Sequence, residues 1–175
     1  MALLILEEPS ERLQQAFSDM AAEFAEHGNP RYVRDAQAFP AFLSRVRNER
    51  EARGLLPEAV PMSLFWLVRD HEILGSSRLR HTLTPELEQL GGNIGYDIRP
   101  SERRRGFGTI LLRLTLERAR AMGLTRVRIT CDADNIGSIR VIENNGGALD
   151  AEVLSPERGK LLRQYWIEVH ENRDK

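Results

Sequence analysis

The first third of the chain carries one short apolar run followed by two helical patterns. The opening residues "MALLILEE" have no basic flank and run straight into acidic residues, which favours a first β-strand over a secretory signal. Leu13, Phe17, Met20 and Phe24 then recur at helical spacing, and Gly28 closes that run. The segment "FPAFLSRVRNEREARG" repeats the helical period with a strongly charged opposite face. The pattern predicts a strand followed by two amphipathic helices.

The middle of the chain changes from the helical period to a strand period. In "SLFWLVRDHEILGSSRLRHTL", two β-rich runs flank a polar turn at residues 69–72, which predicts an antiparallel hairpin. "TPELEQLGG" follows as a turn or short helical insertion. "NIGYDIRP" is a further strand that Pro100 ends, because proline cannot donate to a strand ladder.

The last third returns to alternating helices and strands. Residues 109–122 form an amphipathic pattern that Gly123 stops, and "RVRITCD" predicts the next strand. "NIGSIRVIENNGG" predicts a short helix with Asn135 as its N-cap. "ALDAEVL" and "LLRQYWIEV" predict a closing antiparallel pair. The order β-α-α-β-β-β-α-β-α-β-β predicts one mixed-sheet α/β domain over residues 1–175.

Composition narrows the classes of partner. The chain has 175 residues, 41% of them hydrophobic and 29% charged, which is typical of a globular protein. The formal net charge of -1 supplies no general attraction to nucleic acid. A single cysteine, Cys131, allows neither an internal disulfide nor a cysteine metal cluster, and no segment approaches the ~20 apolar residues that cross a bilayer. We expect a cytoplasmic protein without a metal and without a nucleic-acid or membrane partner.

The stretch "DIRPSERRRGFGTILLRL" indicates an anion site. A strand that ends at Pro100, a loop with Gly106 and Gly108, and a following helix place free backbone N–H groups at one point. Three consecutive arginines at 103–105 add positive charge there. The alternative is a plain tight turn beside a solvated charge run. A phosphate or pyrophosphate is the ligand that the pattern favours.

Two familiar phosphate motifs are absent from this stretch. No G-x-x-x-x-G-K-[ST] sequence occurs, and Leu111 stands where a dinucleotide-binding motif has its third glycine. The pattern alone therefore leaves the phosphate-bearing ligand undefined.

"RRRGFG" matches the Q/R-x-x-G-x-G/A pyrophosphate loop of the GNAT superfamily of N-acetyltransferases, which the chain resembles over nearly its whole length. "GGNIGYDIRPSERRRGFG" and "VIENNGG" are similar to a bacterial branch of that superfamily. The resemblance implies an α/β fold (α+β in some schemes), with a mixed, mostly antiparallel central sheet, one splayed strand pair and helices on both faces.

The resemblance also implies acetyl-CoA as co-substrate. Its pyrophosphate would lie on the loop and its pantetheine arm along the strand before it, with the splayed pair around Thr130 and Cys131. For Asn135 a helix N-cap is the simpler alternative, and both roles can coexist. The residues assigned to the cofactor are Ile98, Arg103, Arg104, Arg105, Gly106, Phe107, Gly108, Thr109, Asn135 and Ser138.

The catalytic groups of the superfamily do not carry over. Ile142 stands at the position where many members have a proton-donating tyrosine, and Gly92 where some have a glutamate base. The proton for the thiolate then comes from water, from Tyr96 or Tyr165, or from the amine itself. The oxyanion donor is a backbone N–H in the splay, near Ile98.

His81 is the candidate base, because its unperturbed pKa suits proton transfer near neutral pH. An ordinary hydrogen-bonded surface histidine is the alternative. The further carboxylate candidates are Glu86, Glu88 and Asp97. Cys131 offers an acyl-enzyme route, although a cysteine on a buried strand is usually a small hydrophobic residue.

Three functions follow as hypotheses. The first is an N-acetyltransferase that acts on a primary amine of a small molecule, or of a peptide or protein, by direct attack in a ternary complex. The second is a catalytically silent acetyl-CoA-binding module. The third is a nucleic-acid-binding protein using Arg99 and residues 103–105, which Glu102 and the near-zero net charge disfavour. A homodimer is common in the superfamily, and these residues do not select one.

Overall fold

The computed structural model describes residues 3–169 and places seven strands and six helices along them. The strands are β1 Leu4–Glu7, β2 Met62–Arg69, β3 Glu72–Arg80, β4 Ile94–Ile98, β5 Arg126–Asp132, β6 Ala148–Ser155 and β7 Lys160–Glu168. The helices are α1 Gln14–Glu26, α2 Val33–Gln37, α3 Phe39–Arg50, α4 Pro85–Leu90, α5 Phe107–Ala121 and α6 Ile136–Asn144. Residues 1–2 and 170–175 of the predicted domain lie outside the described residues.

The strands form two antiparallel sheets that meet at β4 and β5. One sheet has the order β1-β2-β3-β4 and the other β5-β7-β6. The hairpin between β2 and β3 turns at Asp70 and His71, whose φ angles are 48° and 70°. Positive φ at both central residues gives the turn the twist that a tight hairpin needs. The hairpin and the closing β6-β7 pair are both confirmed.

Helices cover both faces of the β1–β4 sheet because its central strand β2 alternates between two cores. Phe65 and Leu67 belong to the core that includes α5, whereas Trp66 and Val68 belong to the core beneath α1 and α3. In the second core Phe17 of α1 stacks on Trp66 at a ring-centroid distance of 4.9 Å. The predicted α/β fold, with a mostly antiparallel sheet and helices on both faces, is confirmed.

Two helix boundaries differ from the sequence prediction. The short helix α2 was not anticipated, since its five residues are too few to show a period. Helix α5 begins at Phe107, two residues before the predicted start, and follows Gly106 in the left-handed region with φ of 83°. A residue with a Cβ is strained in that conformation, so glycine suits the point where the loop turns into the helix.

Candidate active site

Within residues 3–169, a single bridge joins the neighbouring strands β4 and β5. The bridge joins Gly92 to Ile129, just before β4 begins. Next to the bridge, Asn93 forms two hydrogen bonds with the backbone of Arg128. The Asn93 N–H donates to the Arg128 carbonyl at 2.7 Å, and the Asn93 Oδ1 accepts from the Arg128 N–H at 2.8 Å. Among the described residues no ladder joins β4 to β5 beyond this point. The two strands therefore part after Asn93.

The register of β4 directs unpaired peptide groups into the gap. The Asn93 carbonyl accepts from the Arg80 N–H at 2.8 Å, and the Arg99 N–H donates to the Leu74 carbonyl at 2.9 Å. The odd-numbered residues of β4 therefore form their backbone hydrogen bonds with β3. In an antiparallel ladder the residues between them point their N–H and C=O groups the other way. The backbone groups of Ile94, Tyr96 and Ile98 consequently face β5.

Strand β5 presents the complementary set from the other side of the gap. The Ala133 N–H donates to the Leu161 carbonyl at 2.9 Å, and the Val169 N–H donates to the Thr125 carbonyl at 2.7 Å. The odd-numbered residues of β5 therefore form their backbone hydrogen bonds with β7. The peptide groups of Thr130, which lies two residues after Arg128, therefore face β4. An extended ligand that carries amides can pair with both edges of this slot.

The loop after β4 ends the slot at an uncapped helix N-terminus. Arg104 and Gly106 take positive φ angles of 59° and 83°, and no side chain caps α5. The first N–H groups of α5 are thus open to an anion, and the helix dipole favours one there. A Cβ on Gly108 would lie 3.0 Å from a methyl group of Val141, so glycine allows α5 to approach α6 closely.

The three arginines of the loop differ in their surroundings. The Arg103 Nε donates to the Ile98 carbonyl at 3.1 Å, and its guanidinium lies 5.8 Å from the ring centroid of Phe24. Arg105 forms an ion pair with Glu102 at 2.7 Å, and Arg104 is exposed. Arg103 therefore ties the loop to α1 and β4, while its neighbours retain most of their solvent exposure.

Glu23 of α1 is a site residue that the sequence did not reveal. Its carboxylate accepts hydrogen bonds from the Arg99 Nε, from the Ser101 N–H at 2.6 Å and from the Ser101 Oγ at 3.2 Å. Burial opposes ionisation of Glu23, but these bonds outweigh it and lower the pKa of the carboxyl group. No local motif signals this contact, because Glu23 is 76 residues from Arg99.

Tyr96 lies between β4 and the start of α6. Its hydroxyl donates to the Ser138 carbonyl at 3.4 Å, and burial raises its pKa to about 12. Asn135 caps α6, since its Oδ1 accepts from the Ser138 N–H at 3.0 Å, which confirms the N-cap interpretation. Burial also raises the pKa of the Cys131 thiol to about 11. Both Tyr96 and Cys131 are therefore protonated at neutral pH.

The two positions that depart from the superfamily have structural explanations. Gly92 has a φ of 81°, and a Cβ there would lie 2.6 Å from the Arg128 carbonyl oxygen, so glutamate does not fit. Ile142 is fully buried in the core and packs under Gly147, where a Cβ would approach it within 2.4 Å.

His81 does not lie beside Tyr96. Its Nε2 shares a hydrogen bond of 2.9 Å with the Ser63 Oγ on β2, and its N–H donates to the Pro61 carbonyl at 2.9 Å. Burial, with a smaller contribution from Arg50, lowers its pKa. It follows Ser77, the strand partner of Tyr96, by four residues, or roughly 13 Å along an extended chain.

Asp97 occupies the face of β4 opposite to Tyr96. Its Oδ2 accepts from the Arg31 Nη1 at 2.6 Å and from the Tyr32 hydroxyl at 2.9 Å. The other two candidate carboxylates, Glu86 and Glu88, are exposed in the first turn of α4.

Residues 3–169 contain neither a metal-binding cluster nor a membrane-spanning helix. No group of three or more histidine, cysteine, aspartate or glutamate side chains is arranged to hold a metal ion. Within the same residues, none of the helices has the length and apolar character that crossing a membrane requires.

The fold, the splayed strand pair and the glycine loop define a class of protein. The family model for the acetyltransferase (GNAT) domain matches residues 4–148, and the chain belongs to this family of acyltransferases. No curated protein matches the sequence significantly.

Solved structures share the fold at low identity. RimJ of Mycobacterium smegmatis, in complex with CoA-disulfide, is 19% identical with a TM-score of 0.74, covering 98% of this chain and 85% of its own. RimL, a ribosomal L7/L12 alpha-N-protein acetyltransferase in complex with coenzyme A, is 17% identical with a TM-score of 0.71, covering 94% and 93%. The Microcin C7 self-immunity acetyltransferase MccE, in complex with acetyl-CoA and AMP, is 13% identical with a TM-score of 0.71, covering 94% and 92%.

Proposed function

We propose that the protein transfers an acetyl group from acetyl-CoA to a primary amine of a small molecule or peptide, by direct attack in a ternary complex. The observation that carries this proposal is the slot of unpaired peptide groups between β4 and β5, which ends at the open N-terminus of α5. Membership of the GNAT family and the CoA-bound structures of RimJ, RimL and MccE support the choice of cofactor.

The cofactor would extend along the slot. Its pyrophosphate would accept from the N–H groups of residues 104–109, with Arg104 and Arg105 adding charge. Its pantetheine amides would pair with Tyr96, Ile98 and Thr130 across the gap. Because Arg103 already holds the Ile98 carbonyl, the Ile98 N–H is the group left for the cofactor. Asn135 and Ser138, at the start of α6, would contact the pantetheine or the diphosphate.

Acetyl transfer would then proceed at the end of the pantetheine arm. The neutral amine nitrogen would attack the thioester carbonyl, a backbone N–H in the splay would stabilise the oxyanion, and the carbon–sulfur bond would break. The proton that the nitrogen loses would pass to a base or through water, and would restore the phenol of the acid that protonates the thiolate. Tyr96 would donate the proton that the departing thiolate takes, since its phenol is protonated and borders the slot. It would replace the tyrosine that position 142 lacks.

The direct route is favoured over an acyl-enzyme on Cys131. Only the thiolate attacks a thioester, and the raised pKa of Cys131 leaves almost none of it at neutral pH. An amine that binds in its neutral form reaches the carbonyl without a covalent intermediate.

His81 remains the base that the sequence proposes, and a single substitution tests this role. His81→Gln should lower turnover strongly at neutral pH if the acceptor amine reaches the His81 imidazole, which lies next to Ser63 of β2. Unchanged turnover would remove His81 from the mechanism and indicate an amine that binds already neutral.

Isothermal titration of acetyl-CoA tests the cofactor site. We expect micromolar binding to the wild type and its loss in an Arg104→Glu, Arg105→Glu variant, because reversed charges repel the diphosphate. Arg113→Glu, on the exposed side of α5, is the matched control and should bind normally. A folded wild type that does not bind acetyl-CoA would contradict the proposal.

A panel of primary amines then tests turnover. Release of CoA with at least one amine supports the acetyltransferase. Binding of acetyl-CoA without any turnover would instead support the catalytically silent module, the alternative that the absence of a tyrosine at Ile142 and of a glutamate at Gly92 motivates.

A further inference from the structure

An open patch lies on the sheet face opposite to Tyr96, at the edge of the slot. Side chains alternate along β4, so Gly95 and Asp97 lie on the face that α1 and α3 cover elsewhere. No heavy atom comes within 4 Å of the position that a Gly95 Cβ would occupy. An acceptor can therefore approach the thioester over Gly95, from the side opposite to Tyr96.

Two arginines of β3 adjoin this patch. Arg78 is the register partner of Gly95, and residues paired in this way have Cα atoms ~5.5 Å apart. Arg80 lies two residues further along β3, on the same face. The two side chains thus leave the sheet on the same face, next to the opening.

Neither arginine is neutralised by a close carboxylate. The nearest carboxylate oxygen to Arg78 is Asp97 Oδ2, at 3.9 Å, and it already accepts from Arg31 and Tyr32. Arg80 donates to the Gly92 carbonyl at 2.8 Å and forms no ion pair within residues 3–169. Burial lowers the pKa of Arg80, and the neighbouring charge of Arg78 lowers it further. Two positive charges at the edge of the slot are thus opposed only by the Asp97 carboxylate, which Arg78 shares with Arg31.

Two other arginines on this side of the sheet, Arg31 and Arg45, are paired at shorter distances. Arg31 forms an ion pair with Asp97, and Arg45 forms ion pairs with Asp35 and Glu49. A partly buried pair of like charges is unfavourable unless an anion joins it. An incoming carboxylate or phosphate would supply the missing charge through charge-assisted hydrogen bonds.

A small cavity adjoins the patch at Arg78. Arg78 lines a cavity of about 80 Å³ together with Ser76 and Trp66, next to Tyr32. The Asp97 carboxylate, two residues after Gly95, places negative charge at the other end of the patch. The patch therefore combines a cationic end on β3 with an anionic end on β4.

Resting on the acetyl transfer proposed above, we infer that the acceptor is an amine that also carries an anionic group, a carboxylate or a phosphate. Arg78 and Arg80 bind that group, and the amino end lies over Gly95, where it faces the thioester. The anionic group of such a substrate supplies the charge that the two arginines need, whereas a singly charged cationic amine would be repelled by them.

The test compares three primary amines that share an aminoethyl group: ethanolamine, β-alanine and O-phosphoethanolamine. We expect at least one of the two anionic amines to have a kcat/KM about tenfold or more above that of ethanolamine, since bonds to charged groups are the stronger ones. Arg78→Ala should remove that advantage through KM and leave ethanolamine within about twofold of its wild-type value. Arg78→Lys should restore part of it.

The control is Arg47→Ala, which removes one positive charge from the exposed face of α3. It should leave the preference unchanged, and thermal denaturation verifies that each variant is folded. The preferred amine of the anionic two distinguishes a carboxylate from a phosphate.

Three outcomes overturn the inference. If the three amines are acetylated equally, the acceptor needs no anion and the proposed function still stands. If Arg78→Ala lowers kcat/KM equally for neutral and anionic amines, Arg78 has only a structural role. If a folded, acetyl-CoA-binding wild type acetylates none of them or any other amine, both the inference and the acetyltransferase proposal fail.

Discussion

The backbone N–H of Ser101 donates to the carboxylate of Glu23 at 2.6 Å, across 78 residues of chain. Two further donors, from Arg99 and the Ser101 hydroxyl, reach the same carboxylate. This contact attaches the 3-10 turn Pro100–Glu102, which leads into the glycine loop, to helix α1. A single side chain of α1 thus holds the approach to the proposed diphosphate site.

Replacing Glu23 should weaken cofactor binding without affecting the acceptor. Glu23→Gln removes the charge opposite Arg99 and exchanges one acceptor oxygen for a donor, so the loop loses its attachment. We expect the Kd for acetyl-CoA to rise about tenfold, the loss of a bond to a charged group. Glu26→Gln, exposed on the same helix, is the control, and titration of both variants gives the comparison. Equal affinities would contradict a positioning role.

The same carboxylate predicts how binding depends on pH. The pKa of Glu23 is lower in the folded protein than its ordinary value of 4.5. Its contribution to loop order is therefore fully present above that value and is lost as the pH falls through the lowered pKa. Acetyl-CoA affinity measured down the acid range should fall in the wild type and be flatter in Glu23→Gln.

Tyr96→Phe should lower kcat while leaving acetyl-CoA binding intact. Loss of a general acid costs about 10²-fold or more in rate. Because the pKa of Tyr96 is about 12, its deprotonation should not reduce wild-type kcat below about pH 10. Tyr165→Phe removes the other hydroxyl considered as a proton donor. An unchanged rate in Tyr96→Phe with a large loss in Tyr165→Phe would transfer the role to Tyr165.

Gly92→Ala should destabilise the fold, because position 92 has no room for a side chain. A non-glycine residue at positive φ costs about 1–3 kcal/mol, and the added Cβ also meets the Arg128 carbonyl. Gly159→Ala isolates the first effect, because Gly159 has a φ of 59° and nothing within 4 Å of its Cβ position. Urea unfolding should show a clearly larger loss for Gly92→Ala. Similar losses would mean that β5 yields easily.

Cys131 should be nearly inert toward alkylating agents. With a pKa of about 11 the thiolate is about one thousandth of the thiol at pH 8, so iodoacetamide should react far more slowly than with a free cysteine. Cys131→Ala should retain acetyl transfer. Rapid alkylation, or loss of turnover in Cys131→Ala, would instead favour an acyl-enzyme.

Local patterns in the sequence predicted most of the elements but not their mutual contacts. The Asn135 cap and the stop of α5 at Gly123 were predictable, because both depend on residues within one helical turn. The Glu23 contact was not, since it depends on how α1 packs on the sheet. The side toward which His81 points was equally hidden, because a hairpin end can lean toward either neighbouring strand.

One signal in the sequence could have been used further. In "SSRLR" the two arginines are separated by one leucine, and strand alternation places them on the same face. That Arg78 has only a long ion pair with Asp97, and that Arg80 has none within residues 3–169, depends on how the strands and helices pack and required the structure. The clash that excludes a side chain at Gly92 likewise arises from a strand that comes 34 residues later, β5 Arg126–Asp132.

The splay between β4 and β5 also bears on aggregation. An exposed strand edge is a template on which another polypeptide can add a strand. Here the two unpaired edges face one another, so a second protein chain could reach them only by entering between the two sheets. The peptide groups thus stay accessible to a thin, flexible ligand while they are shielded from strands of neighbouring molecules. The protein thus keeps these hydrogen-bonding groups unpaired without adding another outer strand edge at which molecules could associate.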